Sequence, residues 1–480
     1  MTLTRGAQRA LIATLSGVIV AVYAVAWLAP GIGLYYDDAV ALVNAKAVAA
    51  GHGYSGEHPP LFPALLALFT LVSGQAQWLK LLPLACTCGW LAAAFRLLRK
   101  MGASANGATI LIAMTALAPM VVFLGTSLLP EALFGLLATA ALAMMLDDRA
   151  LPAGVLAGLA TLTMVAGAPL IVACILTLVA RRRLRSALVF AGVAMALTAP
   201  WFGWWLAHGG LHASAGGARL AANEKLQVLG ANVLDLLRSP FLLLTGIASG
   251  YAAIGTVVLL GWALIRRRQL APDLFVALCC AMAVCRLGPP QRFVAPILPL
   301  ILWMLWRVFS RVRIQEALAA TVIILIGLGV WGSLSRIPAT LCFGQFPAGG
   351  AAPNDWNEMR KLFAYIRAST PGDAVVMANL DPLFGLETGR KTIRGFTPDG
   401  YKLYYERANP AVTPNELAGA IIASGAGFVA LTPDRELPGS AAYHRAVEAL
   451  ERGGVVEPVV VPGLGGDYRL LRTVAGGLGR

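Results

Sequence analysis

The chain has 480 residues, 58% of them hydrophobic and only 13% charged, with a mean hydropathy of +0.72. That composition excludes a soluble globule and points to a polytopic membrane protein, since runs of roughly 20 apolar residues read as transmembrane helices. The formal net charge of +14 does not indicate nucleic acid as a partner, because the basic residues sit in short clusters between apolar runs, the positive-inside pattern of a membrane protein.

In chain order, Arg5 and Arg9 precede a first span at about 10–30. Ala24-Val25-Ala26 imitates a cleavage site, but the apolar run is long for a signal peptide and more spans follow, so this span reads as uncleaved. Residues 31–63, GIGLYYDDAVALVNAKAVAAGHGYSGEHPPLFP, then hold Asp37, Asp38, Glu57 and His58. A second span at about 79–98 ends in Arg96, Arg99 and Lys100. Glu131 heads the fourth span, and Arg149 follows it. Residues 150–180 read as two short spans joined at Gly167-Ala168-Pro169, and Gly154 and Gly158 form a small-xxx-small packing pair. Arg181, Arg182, Arg183 and Arg185 follow the sixth span. Trp201, Trp204 and Trp205 suit an interfacial aromatic belt. The loop between spans seven and eight carries His208, His212, Arg219, Glu224 and Lys225. Arg266, Arg267 and Arg268 follow the eighth span; Arg292 starts the tenth, and Arg307, Arg311 and Arg313 close it. With a last span near 315–332, the count reaches about eleven.

If every basic cluster is cytoplasmic, the N-terminus is cytoplasmic and the C-terminal region lies on the other side. The expected domains are a transmembrane domain, 1–335, and an exported domain, 336–480. In the latter, charge and proline rise and the long apolar runs stop. Residues 355–368 have helical spacing of Trp356, Met359, Leu362, Phe363 and Ile366. A strand Ala374–Ala378 follows the turn Pro371-Gly372-Asp373. Helices at about 414–424 and 440–453 flank a strand Gly427–Thr432, and 455–461 and 467–473 read as closing strands. Alternating helix and strand make this a small α/β domain. Six of the seven cysteines fall in spans and behave as small apolar residues. Cys342 has no evident partner, so no structural disulfide is expected.

A carboxylate pair beside a membrane span is costly, which makes Asp37 and Asp38 functional suspects. By the topology above, Asp37, Asp38, Glu57, His58, Glu131, Arg292 and the loop with Arg219 and Lys225 all lie on the exported face. Acids able to act as a base and cations able to hold a phosphate thus share one face. Each also has a plainer reading. An aspartate before a helix caps it, Glu131 complements a helix dipole, and Arg292 is an interfacial anchor. Glu57 and His58 are polar loop residues. Those two and the aspartates leave a divalent metal open, though no spacing demands one.

The order of motifs is more specific than any one of them. A first span is followed by the acidic pair Asp37-Asp38, a helix ending at Gly51, then Gly53-Tyr54 and Pro59-Pro60-Leu61-Phe62-Pro63. Pro130-Glu131 heads a later span, and Pro200-Trp201 closes another. Arg292-Phe293-Val294-Ala295-Pro296-Ile297-Leu298-Pro299 and, after a strand, Thr388-Gly389-Arg390 come later still. This order resembles the polytopic membrane glycosyltransferases of the GT-C fold, in the branch of protein O-mannosyltransferases and the aminoarabinose transferase of lipid A. The resemblance implies a mainly α membrane bundle with a small C-terminal α/β exported domain. It implies a bacterial inner-membrane glycosyltransferase with Asp37 as catalytic base and Asp38 as helper or cap. That family usually has Asp-Glu at the pair, where this chain has Asp-Asp. Arg292, Lys225 and Arg219 are the candidate donor-phosphate ligands, and Glu57, His58 and Glu131 the candidate substrate ligands.

The implied reaction moves a monosaccharide from a polyprenyl-phosphate donor to a lipid, glycan or protein hydroxyl, with inversion. Phosphate is a good leaving group, so one carboxylate acting as base suffices, and no cofactor is required. Membrane lipids are the other expected partners. The competing classes are a transporter or flippase, which would show pseudo-symmetric halves and midplane sites, and a polysaccharide ligase or polymerase of the envelope.

Overall fold

The computed structural model describes residues 5–52, 54, 59–208, 221–246, 270–288, 290–309, 315–347, 355–395, 412–433, 440–465 and 467–474. They fall into two compact units. One comprises Met1–Leu28 and Asn44–Ile337, the other Ala29–Val43 and Pro338–Arg480. The acidic segment read from sequence as part of 1–335 therefore clusters with the tail.

The first unit is helical. Ala76–Lys100, Leu184–Ala207, Ala222–Thr245 and Gln291–Val308 are long and apolar enough to cross a membrane, as is the segment Ala320–Phe343 that runs out of the unit. A sixth candidate is the pair Ala105–Leu117 and Pro119–Thr126, bent by 67°. The bend falls where Ala118 turns extended ahead of Pro119, as the residue before a proline tends to. Other apolar helices are shorter, among them Leu61–Val72, Glu131–Leu146, Ala150–Thr163, Gly167–Ala180 and Leu270–Cys285. At 1.5 Å per residue, a 14-residue helix such as Ala150–Thr163 is about 21 Å long, less than the roughly 30 Å of a bilayer core. Most of the apolar stretch before Arg266, expected as the eighth span, lies outside the described residues.

Residues 150–180 do form two helices, but they part at Met164, whose backbone is extended, and Gly167 opens the second helix. Ala150–Thr163 packs against Leu184–Ala207. A Cβ on Gly154 would lie 2.8 Å from the Phe190 carbonyl oxygen, and one on Gly158 would lie 3.1 Å from Leu197. The small-xxx-small pair therefore serves close helix packing. Two expectations are corrected. Pro200-Trp201 does not close a span: the helix runs on to Ala207. Such continuation is tolerated in membrane helices, where neighbours satisfy the freed carbonyl. Glu224 and Lys225 do not sit in a loop but in the first turn of Ala222–Thr245, where the Glu224 carboxylate accepts the Ala221 N–H at 2.6 Å. The buried positions Val228, Asn232, Ser239, Leu243 and Leu244 recur at helical spacing along it.

The second unit carries a five-stranded sheet in the order β2-β1-β3-β5-β4, with β1 Val375–Ala378, β2 Lys391–Ile393, β3 Phe428–Leu431, β4 Val456–Val459 and β5 Arg469–Thr473. β1 is parallel to β2 and β3, while β5 runs antiparallel to β3 and β4. Alternation along the strands splits the core. Val376, Ala378, Ala430 and Leu470 join Met359, Leu362, Phe363 and Ile366 of the helix Trp356–Ser369 on one face. Met377, Val429, Leu431 and Leu471 join Leu417, Ile421, Tyr443 and Val447 of Pro414–Ser424 and Ser440–Arg452 on the other. Asp355 starts the first of these helices by accepting the Asn357 N–H at 2.8 Å, and Thr413 with Glu416 forms a capping box at the second. The helix Asp381–Thr388 and strand β2 are additions to the sequence reading. Thr388-Gly389-Arg390 consequently ends a helix and does not follow a strand, Gly389 being its left-handed C-cap. All seven cysteines are free thiols.

Candidate functional site

The acidic segment is built into the tail unit. Its backbone meets the start of the tail closely: the Gly31 N–H donates to the Gly344 carbonyl at 2.5 Å, and a Cβ on Gly31 would sit 2.7 Å from that oxygen. Leu34 and Ala39 are buried among Trp356, Met359, Leu383 and Phe384. Tyr35 meets Phe343 edge-on at 5.9 Å. The Arg394 guanidinium lies 3.9 Å from the centre of the Tyr36 ring and pairs with Asp381 at 3.4 Å.

The two aspartates have different surroundings. Both fall in the first turn of the helix Tyr36–Ala49. Asp38 is fully buried. One carboxylate oxygen accepts the Tyr35 N–H at 3.0 Å, which caps the helix from its third position. The other accepts the Gly33 N–H at 3.0 Å and the Gln345 Nε2–H at 2.8 Å. Burial pushes the Asp38 carboxyl up to about 6, opposed by the bonds from Gln345, Gly33 and Tyr35 and reinforced by the charge of Asp37. The folded segment thus holds this proton more tightly than the unfolded chain, so its stability declines as pH rises from about 4 to about 6. Asp37, by contrast, is half-buried. Asp38 therefore shapes the backbone, and Asp37 is the more accessible carboxylate of the pair.

The helical unit brings two other candidates together. Glu131, at the head of Glu131–Leu146, is 1% exposed, and its Oε1 accepts from Arg292 Nε at 2.7 Å and forms an ion pair with Nη2 at 2.6 Å. Among the described residues its Oε2 is buried with no hydrogen-bond partner. The Arg292 side chain is 38% exposed, so a buried acid holds one edge of a partly exposed guanidinium. Gln291–Val294, which carries Arg292, packs against the helix Ala222–Thr245, and Lys225 is exposed at the start of that helix. Glu57, His58 and Arg219 lie outside the described residues. Among the described residues no three His, Cys, Asp or Glu side chains form a metal-binding group.

Three further residues were not singled out from sequence. Gln345, fully buried, is the partner of Asp38. Lys80 is fully buried in Ala76–Lys100; a lysine inside the apolar run Trp78-Leu79-Lys80-Leu81-Leu82 was a readable signal of cost. Arg286 stacks on Phe293, beside Arg292, at 4.5 Å. Its backbone carbonyl accepts from Asn232 Nδ2 at 2.6 Å.

Apolar helices of membrane-crossing length, shorter apolar helices beside them and a small α/β tail define a multi-pass membrane protein. Its fold is that of the GT-C glycosyltransferases. It is similar to ArnT from Cupriavidus metallidurans in the apo state, with a TM-score of 0.63 and 14% identity over 99% of this chain and 100% of that one. It is likewise similar to the same protein bound to undecaprenyl phosphate, with a TM-score of 0.60 and 15% identity over 98% and 99% of the two chains. At this identity the likeness shows the fold. No protein-family model matches the sequence, and no curated protein matches it significantly.

Proposed function

We propose that this chain is a glycosyltransferase of the bacterial inner membrane. It moves a monosaccharide from a polyprenyl-phosphate donor to a hydroxyl of a lipid, glycan or protein on the exported face, with the N-terminus cytoplasmic and the tail exported. One observation carries the reading: beside a buried, fully engaged Asp38, Asp37 is left half-buried on a segment fixed to a folded domain. A GT-C fold matched over 99% of the chain supports it, and ArnT, a protein of like fold, has been seen with undecaprenyl phosphate.

In the reaction, Asp37 takes the acceptor hydroxyl proton as the oxygen attacks the anomeric carbon. The bond from that carbon to the phosphate oxygen breaks, its electron pair leaves with the polyprenyl phosphate, and a single displacement inverts the centre. Arg292 stabilises the charge gathering on the phosphate. Lys225 and Arg219 are further cations for that phosphate, and Glu57 and His58 remain substrate ligands of the proposal. Glu131 serves the same end by orienting Arg292 through a hydrogen bond and an ion-pair contact. The reading asks for no cofactor and leaves a divalent metal open.

Full-length protein in lipid nanodiscs, given synthetic polyprenyl-phosphate sugars and envelope lipid and glycan acceptors, is expected to release free polyprenyl phosphate and form a glycosylated product. Donor carried across a sealed bilayer with no product formed would favour a flippase instead. In the same assay Glu131→Ala is expected to raise the donor KM about tenfold, the equivalent of about 1.4 kcal/mol, with the acceptor KM little changed. An unaltered donor KM would remove Glu131 from this role.

A further inference from the structure

The tail contributes a side chain to the acidic segment that does more than fill space. Gln345 is fully buried and uses both ends of its amide. Nε2 donates to Asp38 at 2.8 Å, and Oε1 accepts the Leu34 N–H at 3.3 Å. Asp38 in turn accepts the Gly33 and Tyr35 N–H groups. One amide thus ties together the backbone from residue 33 to 35 and the first turn of the helix that bears Asp37. The pairing reaches across 307 positions of the chain. Its geometry asks for a donor and an acceptor on one planar group. Methionine offers neither, and an ionised glutamate offers no donor and sets a second negative charge against Asp38.

Apolar contacts already fasten this segment. Leu34 and Ala39 lie in the tail core, and Tyr35 meets Phe343. Those contacts fix where the segment lies but are indifferent to fine rotation of the first helical turn. The directed bonds of Gln345 and Asp38 set that rotation, and with it the direction of the neighbouring carboxylate. Proton transfer in a displacement is sensitive to such placement, an error of about 1 Å costing roughly 10²-fold in rate.

We propose that Gln345 is a positioning residue for the base: acting through Asp38, it aims Asp37 at the acceptor hydroxyl, which makes the tail a working part of the catalytic centre. This rests on the reading of Asp37 as the base. The test uses full-length protein in nanodiscs, comparing wild type with Gln345→Met, which conserves shape, and Gln345→Glu, which keeps the acceptor for Leu34. Transfer kinetics would be measured with a synthetic polyprenyl-phosphate sugar, alongside hydrogen exchange of the Leu34 and Tyr35 amides, with those of Val376 and Val429 as reference. The expected result is a kcat lower by about 10- to 100-fold at a donor KM within about twofold of wild type. Leu34 and Tyr35 should exchange faster while the sheet amides are unaffected.

Wild-type kcat in a folded variant, or unaltered exchange at Leu34 and Tyr35, would overturn the proposal. So would a loss that merely tracks the fraction of folded protein. If Gln345→Met does not fold, Gln345→Glu decides. If wild-type protein transfers no sugar at all, the reading of Asp37 fails, and with it the catalytic part of the proposal. The exchange data then show separately whether Gln345 holds the segment.

Discussion

Asp37→Asn is expected to lower kcat for sugar transfer by about 10²- to 10⁴-fold, the contribution of a positioned general base, while the protein still inserts and folds. The change is nearly isosteric and strikes a half-buried side chain, so the packing of Leu34, Ala39 and Tyr35 stays in place. Donor KM should be little altered, because the lost group acts on the acceptor proton. The neighbouring substitution behaves differently. In Asp38→Asn, one carboxylate oxygen becomes an NH₂ facing the Tyr35 N–H, or the Gly33 N–H and the Gln345 amide, each already a donor. A buried donor facing a donor costs about 1–3 kcal/mol, which would appear as a lower unfolding temperature of the tail unit. Equal kinetic losses with no difference in stability would contradict the division of labour between the two aspartates. Full activity of Asp37→Asn would remove Asp37 from the role of base.

Arg292→Ala is the second large effect. Removing a cation that stabilises charge developing on the leaving phosphate should lower kcat/KM for the donor by about 10²- to 10³-fold, with acceptor KM nearly constant. The substitution also strands Glu131, a 1% exposed carboxylate held by Arg292 Nε and Nη2. Part of the loss would therefore be structural. Arg292→Lys separates the two contributions: it keeps a positive charge but not the guanidinium edge that engages Glu131 through Nε and Nη2. Titration of the donor at fixed acceptor distinguishes the outcomes. A loss shared equally between donor and acceptor would place Arg292 outside the phosphate site.

How much of this was legible in the sequence depended on how local the determinants are. Trp356–Ser369 and Pro414–Ser424 were readable because apolar spacing, caps and flanking turns all lie within a few residues of one another, and Ser440–Arg452 from its sequence pattern. Asp381–Thr388 and β2 were not, since 8 and 3 residues are too few to show a period. Ala222–Thr245 was masked by its own polar residues, Glu224, Lys225, Asp235 and Arg238, which lower the local hydropathy without breaking the helix. At the site, an aspartate capping the helix that follows was expected from its place ahead of that helix. Which of the pair does so was fixed by Gln345, whose place in the linear chain offers no hint of the pairing. Glu131 and Arg292, 161 residues apart, were each readable as polar groups at the head of an apolar segment. Their union required the packed bundle.

Sugar transfer from a polyprenyl phosphate through Asp37 would leave its mark on the cell envelope. Mass spectrometry of lipid-linked sugars and envelope glycans tests it most directly, in cells carrying the wild-type chain, lacking it, or carrying Asp37→Asn. One polyprenyl-phosphate sugar is expected to accumulate, and one envelope modification to disappear, in both the deletion and the Asp37→Asn cells. Unchanged lipid-linked sugars and glycans on deletion, or a modification fully restored by Asp37→Asn, would contradict it.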